Sequence, residues 1–562
     1  MIPNSVLGQQ ALFHLTDDEH LPRDLSTRER SLLVGSLNFH ALMAPGRALR
    51  IHVYDGSWDL EPRTTDDATF DGLSRVFRRR LYSFGIRSDV RGERRDHLPG
   101  EARADRLIES GTRHLYISGD AALEYDPPRH LARDPLRRLL RAVRAKAPLL
   151  YDEARDIELL RHRSSFTRAA KRRDYENEFL PGGSHDESAI VPGPSPRAGA
   201  PRAVLIGLHW FELGGAERWA FETVRLVREA GFLPIVVSSR DSHHPWITRP
   251  ELDGALIVPF SEHTAHSQTA GVEQFLRALL GEFDIRGVVL HHNQWLYDRV
   301  HWLRRSLPNV PIIDSTHIIE YRGGGFPVSS AMVSDALTTH HVISPSLRDW
   351  MVQVQGIDSR KVVMAPLGGL TVGPREAAFR PRVDGQPFTV SFIGRTARQK
   401  APEVFVEMVN KLGADAGSMR FILHGDGDMS SWVDDIIRNE GLEGRIERRT
   451  SKVHVDDTLA ETDLLVVTSH NEGLTLTTLE AISHGVPVIS TDVGAQSDII
   501  PARALAPRNV HRAVTSLAGM VRDLAGDETA RQRLWSDERE AETRLLAAQT
   551  AGDWFAKEVG SW

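Results

Sequence analysis

From Ala203 onward the chain alternates short apolar runs with longer amphipathic ones. "AVLIGL" (203–208) is apolar throughout. "AERWAFETVRLVREAGF" (216–232) repeats its apolar residues at helical spacing, and "LPIVVSS" (233–239) is again a continuous run. Continuous runs this short read as strands buried on both faces, and strand–helix–strand order reads as a parallel sheet covered by helices. The same alternation continues through "GVVLHH" (287–292), "VPIIDSTH" (310–317) and "HHVISPS" (340–346). It restarts at "FTVSFIGR" (388–395) and runs through "MRFILHGDGD" (419–428), "DLLVVTS" (463–469) and "VPVIST" (486–491). The pattern predicts an α/β protein with two Rossmann-like, doubly wound domains in tandem, 202–375 and 380–535. A helical tail, 536–562, is expected to cross back to the first of them and bury Trp554 or Phe555. Sheets of this kind bind ligands outside the carboxyl ends of their strands, so the cleft between the two domains is the candidate site.

The texture before Ala203 differs. "PGGSHDESAIVPGPSPRAGAP" (181–201) is rich in Pro, Gly and Ser without apolar periodicity and reads as a linker. Residues 1–180 contain the strand-like runs "LRIHVYD" and "RHLYISGD" but no motif that translates into chemistry, and are expected to form an accessory α/β region of unknown role. Between 129 and 173, fourteen Arg and Lys stand against five Asp and Glu. "DPLRRLLRAVRAKAP" (134–148) has a capping Asp134, Pro135 at a first-turn position and a stripe of Leu136, Leu139, Leu140 and Val143. It reads either as a solvated helix docked on its own domain or as a basic surface for anionic lipid or an anionic acceptor.

Length and composition narrow the function. The 562 residues exceed what one core serves. The absence of cysteine excludes disulfides, thiolate metal sites and cysteine nucleophiles and suits a reducing compartment. The N-terminus lacks the pattern of a signal peptide, and no apolar run is long enough to span a bilayer. A cytoplasmic protein is expected, peripheral on the inner face of the plasma membrane if 129–173 meets lipid. A formal charge of −7 argues against nucleic acid as a partner.

Chemistry concentrates at strand ends of the second domain. In "SHNEGLTLTTLEAISHG" (469–485), Glu472 stands in the turn after a strand, and Gly473, Leu474 and Thr475 open a helix whose free amides and positive dipole end suit an anion or sugar hydroxyls. Glu480 lies further along that helix, which Gly485 closes. "GRTARQK" places Arg395 and Lys400 after the strand "FTVSFI", where a diphosphate would need cations. The pairs Asp426/Asp428 and Asp456/Asp457 read as a turn and a helix start, so no metal is expected.

"GGAER" (214–218), "IGRTARQK" (393–400), "ILHGDGD" (422–428) and "SHNEGLTLTTLEAISHGVPVISTDVG" (469–494), in this order and spacing, resemble the retaining GT-B glycosyltransferases of family 4. The resemblance covers about 202–562 and implies a GT-B fold and transfer of a sugar from a nucleoside-diphosphate donor to a hydroxyl of a glycan, glycolipid, lipid-linked or protein acceptor, without a metal or other cofactor. It implies that Gly214 and Gly215 let backbone approach the donor phosphates and that Arg395 and Lys400 hold the diphosphate. Glu472 and the amides of Gly473, Leu474 and Thr475 would hold the sugar and phosphate, and Glu480 the ribose. His317 matches the histidine near the reacting sugar carbon, with His291 and His292 as competing candidates. The chain departs from the family at Ala401, where glycine is usual, and at "IERRTSK" (446–452), near the base. An epimerase or phosphorylase of the same fold, or a non-catalytic sugar-binding module, is the alternative. On this reading donor chemistry resides after the linker, and residues 1–180 recruit a bulky or membrane-attached acceptor.

Overall fold

The computed structural model describes residues 4–17, 21, 24–56, 77–91, 111–120, 123, 142–164, 192–212, 214–240, 242–260, 272–321, 325–368, 377–383 and 385–562. A short hairpin, β1 (Ser5–Val6) and β2 (Gln9–Gln10), precedes a mixed four-stranded sheet of β3 (Phe13–Leu15), β4 (Ala48–Gly56), β5 (Phe77–Ser88) and β6 (Thr112–Tyr116), in the order β3-β5-β4-β6. Strand β5 runs antiparallel to both neighbours and β6 parallel to β4.

Two parallel sheets follow, as the apolar runs predict. The first comprises β7 (Arg202–Leu208), β8 (Leu233–Ser238), β9 (Leu256–Pro259), β10 (Asp284–His291), β11 (Ile312–Thr316), β12 (Thr339–Val342) and β13 (Val362–Met364), ordered β13-β12-β11-β10-β7-β8-β9. The second comprises β14 (Phe388–Ile393), β15 (Met419–His424), β16 (Ile446–Arg449), β17 (Leu464–Val467), β18 (Val488–Thr491) and β19 (Leu505–Ala506), ordered β16-β15-β14-β17-β18-β19. Their central strands are buried along nearly their whole length, which is why they read as unbroken apolar runs.

The terminal helix Ala551–Gly560 packs on the Gly215–Glu229 helix of the first domain. Trp554 stacks on His341 (4.9 Å between ring centres) and Phe555 meets Trp219 edge-on. Trp562 fills the space that Gly287 leaves on β10, and its carbonyl accepts from Arg202 Nη2.

The accessory region is built into this body. Its helix Thr27–Met43 starts at Ser26, which exchanges capping hydrogen bonds with Glu29. From Ser31 to Met43 every residue is buried, so the helix lacks a polar face: it packs on β9 and on the helix Val272–Glu282 as well as on its own sheet. Gly35 lets it approach closely, because a Cβ there would lie 2.5 Å from Pro259. A second accessory helix, Pro148–Ser164, reaches the second domain instead: Tyr151 meets Trp432 and Asp152 enters the helix Pro402–Leu412 region. Of the basic-face arginines, Arg137, Arg138 and Arg141 lie outside the described residues. Arg144 lies over the Trp432 ring, 5.0 Å from its centre. Of the Pro/Gly/Ser-rich stretch, 181–191 also lie outside; its described end packs on the first domain through Gly193 against Leu280 and an Arg197–Glu282 ion pair of 2.6 Å. Among the described residues no helix is long and apolar enough to cross a membrane.

Candidate active site

The carboxyl ends of the two sheets face each other, and turns from both meet between them. After β17 the chain turns through Ser469–Thr475 before the helix Leu476–Ser483 begins. Glu472 is buried in that turn and accepts from Lys400 Nζ (2.6 Å) and Ser469 Oγ (2.6 Å). Lys400 comes from the turn after β14, the strand next to β17, so neighbouring strands explain a pair 72 residues apart. The helix starts two residues later than its apolar pattern suggests, which leaves Gly473, Leu474 and Thr475 in the turn. Their amides donate to no backbone carbonyl among the described residues. Gly485 closes the helix in the left-handed region (φ +76°), as its position predicts.

The opposite wall comes from the first domain. Ile319 N donates to Glu472 O (2.8 Å), and a Cβ at Gly473 would lie 1.7 Å from His317 O. Gly473 is therefore also required for the two domains to touch. The glycine loop after β7 has similar double duties. Gly214 is extended, and its missing Cβ makes room for the Glu217 carboxylate, 2.0 Å from where that Cβ would be; Gly215 faces Leu476 of the second domain. Arg218, in the first turn of the helix Gly215–Glu229, donates to Glu480 Oε1 at 2.8 Å, tying the first domain to the residue expected to hold a ribose. Arg395 leans the same way, 3.9 Å from Glu212 and over the Trp210 ring.

His317 is buried beside this junction, and its hydrogen bonds fix its proton. His341 Nε2 lies 2.8 Å from Ala365 O, so Nε2 carries the proton and Nδ1 accepts from Ser315 Oγ at 2.7 Å. Ser315 has then used its only proton, and Trp219 Nε1 (3.0 Å) and His317 Nε2 (2.7 Å) donate to its oxygen. His317 Nδ1 is left as an unprotonated acceptor with no partner among the described residues. Burial holds His317 well below the usual imidazole range, so it is neutral. His292 accepts from His317 N (3.0 Å) and stacks on Phe326, and burial pulls it down to about 3. His291 pairs with Thr223 at 3.0 Å. His291 and His292 thus have structural partners, and His291 Nδ1, like His317 Nδ1, has no partner among the described residues.

Ala401, next to Lys400, is buried in the left-handed conformation (φ +47°, ψ +57°), the one that favours glycine. Asp426, after β15, accepts from Ser451 N (2.6 Å) after β16, and Asp456 faces His454 and His484. Of the ten residues singled out from the sequence, nine thus fall in turns or at a helix start on the two walls, and Glu480 lies within the helix Leu476–Ser483. Sequence reasoning did not single out Ser469, Trp210 or Arg218. Arg218 stood inside a quoted motif, but nothing local says that its partner is Glu480.

Residues 387–524 match the family model described as glycosyl transferases group 1. The D-inositol 3-phosphate glycosyltransferase of Kineococcus radiotolerans is 25% identical over 235 residues, 37% of this chain and 54% of that protein. The 2-deoxystreptamine N-acetyl-D-glucosaminyltransferase of Niallia circulans is 34% identical over 113 residues, 20% of this chain and 29% of that protein. The chain thus spans about half the length of the first relative and under a third of the second. The crystal structure of Anabaena Alr3699/HepE in complex with UDP and glucose shares the fold, with a TM-score of 0.50 at 14% identity, over 64% of this chain and 100% of that one.

Proposed function

Residues 387–524 belong to the glycosyl transferases group 1 within a GT-B fold, and from that premise we propose that the protein is a retaining, metal-independent glycosyltransferase. It moves a sugar from a nucleoside-diphosphate donor to a hydroxyl of a glycan or lipid-linked acceptor. The observation that carries this reading is the Lys400–Glu472 pair at adjacent strand ends, its carboxylate buried and its ammonium partly exposed, facing the glycine loop of the other domain. When donor binds, its diphosphate takes Lys400, Arg395 and the amides of Gly473, Leu474 and Thr475. Glu472 turns from Lys400 to the sugar hydroxyls, His317 Nδ1 accepts from a further hydroxyl, and Glu480 turns from Arg218 to the ribose diol.

The bond from the anomeric carbon to the phosphate oxygen breaks as the acceptor oxygen bonds to that carbon on the same face. The acceptor proton passes to the departing phosphate oxygen, so the configuration is kept without a protein nucleophile. Negative charge grows on the diphosphate during this step. Preorganised cations and amides aimed at that charge lower the barrier without reorganisation.

The test is a panel of nucleotide sugars assayed for release of the nucleoside diphosphate with and without sugar acceptors, after thorough chelation. One donor should be turned over, with an α-configured donor giving an α-linked product. Conversion of the donor alone into an isomer, cleavage that needs inorganic phosphate, or an inverted product contradicts the proposal.

A further inference from the structure

Apart from the donor cleft, three elements bring an unusual set of side chains together. Asp152 comes from the accessory helix Pro148–Ser164, Glu403 from the first turn of the helix Pro402–Leu412, and His470 from the turn after β17, two residues before Glu472. The Asp152 and Glu403 side chains are 1% and 0% exposed, and neither carboxylate accepts a hydrogen bond among the described residues. His470 Nε2 lies 3.5 Å from Asp152 Oδ2 and 3.5 Å from Glu403 Oε1, and one ligand atom from each of the three lies within 4.8 Å of the others.

These distances are too long for hydrogen bonds, which run to about 3.2 Å. They match another arrangement. With metal–ligand bonds of about 2.0–2.2 Å, neighbouring atoms of a tetrahedral shell stand roughly 3.4 Å apart. Two buried carboxylates facing one imidazole without hydrogen bonds are costly unless something charged lies among them. Arg398 Nε and Arg155 Nη1, each 3.9 Å from Asp152 Oδ1, offset part of that charge. The Glu403 carboxylate also gains from its helix N-terminus. A proton is the competing occupant. Burial pushes Glu403 up, and the two carboxylates outweigh burial to push His470 up. A proton on His470 would leave each carboxylate 3.5 Å away, and a proton on Glu403 would be shared with Asp152, so metal loading decides between the two occupants.

We propose that Asp152, Glu403 and His470 bind one divalent transition-metal ion of the zinc class, which clamps the accessory helix onto the turn that carries Glu472. One imidazole nitrogen and two carboxylate oxygens, without sulfur, suit zinc and its neighbours better than calcium or magnesium, which favour all-oxygen shells. The ion is structural, and Lys400 and Arg395 handle the leaving group without it.

The test uses the full, tag-free chain, stripped with chelator and desalted, then loaded with Zn²⁺ or Co²⁺. Bound metal is counted after gel filtration, and visible absorption is recorded for the Co²⁺ form. One equivalent per chain is expected, with the absorption of a four-coordinate cobalt site and a rise in melting temperature. Asp152→Asn and Glu403→Gln should each lose at least tenfold in affinity, as well as the melting shift, while the exposed control Asp358→Asn keeps both. Should those variants fail to fold, the X-ray absorption spectrum of the Zn²⁺-loaded parent decides: one imidazole and oxygen ligands support the site, and two or more imidazoles overturn it. A parent chain that retains no metal, or variants that keep their equivalent, also overturns it and leaves the proton as occupant.

Discussion

His292 has its backbone in the left-handed region (φ +53°) and its ring between the His317 amide and Phe326, so its environment admits only the neutral form. Its folded pKa, about 3, lies below the unfolded value of 6.5, so above pH 6.5 both states are neutral and its neutrality carries no penalty. As pH falls below 6.5 the unfolded chain takes up a proton that the folded chain refuses, and stability is lost until about pH 3. The slope for one such group is at most about 1.4 kcal/mol per pH unit. His292→Asn tolerates the same backbone but cannot titrate. In urea unfolding, its deficit against the parent should therefore shrink by roughly that slope between pH 6.5 and 5. An equal deficit at pH 7.5 and pH 5 would mean that His292 does not sit buried and neutral. Ala401 offers a second measurement at this scale. Its left-handed conformation costs a non-glycine residue about 1–2 kcal/mol. Ala401→Gly should be neutral or stabilising in the same assay, whereas Ala518→Gly, in the helix Val510–Gly526, should cost about 1 kcal/mol. A loss at Ala401 as large as at Ala518 would contradict the strain.

At the scale of elements, the inner strands of both parallel sheets were legible because burial on both faces makes them continuous apolar runs, whereas the short edge strands β9, β13, β16 and β19 were not. The turns were legible because Gly473, Gly485 and the Arg395–Lys400 cations stand at strand ends. The accessory helix Thr27–Met43 was not: packed on several sides, it has apolar residues all round and no 3.6-residue stripe. The partnerships Arg218–Glu480 and Asp152–His470 were not legible either. Their residues lie 262 and 318 positions apart, and only the packing of different elements joins them. The terminal helix gives the sharpest test at this scale. Phe555 is 1% exposed and lies against Trp219, whose indole donates to Ser315 in the chain that orients His317. Phe555→Ala should cost about 3–5 kcal/mol. It should also lower transfer activity below the denaturation midpoint, because the support beneath His317 loosens. Full stability in that variant would mean that the helix is an appendage.

At the scale of the whole molecule, the accessory region is joined to both domains, through Gly35 against Pro259 on one side and Tyr151 against Trp432 on the other. The expectation that residues 1–180 recruit the acceptor while donor chemistry resides after the linker is therefore joined by a prediction about folding. Deleting 1–180 exposes the faces of β9, of the helix Val272–Glu282 and of Trp432, and the remainder should aggregate or melt well below the full chain. A truncated protein that is soluble and melts like the parent would show that the contacts are dispensable.

The central claim is that the cations at the carboxyl end of β14 carry the charge of the departing diphosphate. Glu480→Ala should mainly raise KM for the donor, because a ribose contact is made equally before and during reaction. Lys400→Ala should behave in the opposite way, since the charge it meets grows as the bond breaks. The direct measurement is kcat and KM for nucleoside-diphosphate release by Lys400→Ala beside the parent, in chelator, with the fold of each verified by circular dichroism and melting. The account predicts a fall of roughly 10²–10³-fold in kcat with a small change in KM. A folded Lys400→Ala enzyme with the parent's kcat, or parent activity that vanishes in chelator and returns only with excess magnesium or manganese, would contradict it.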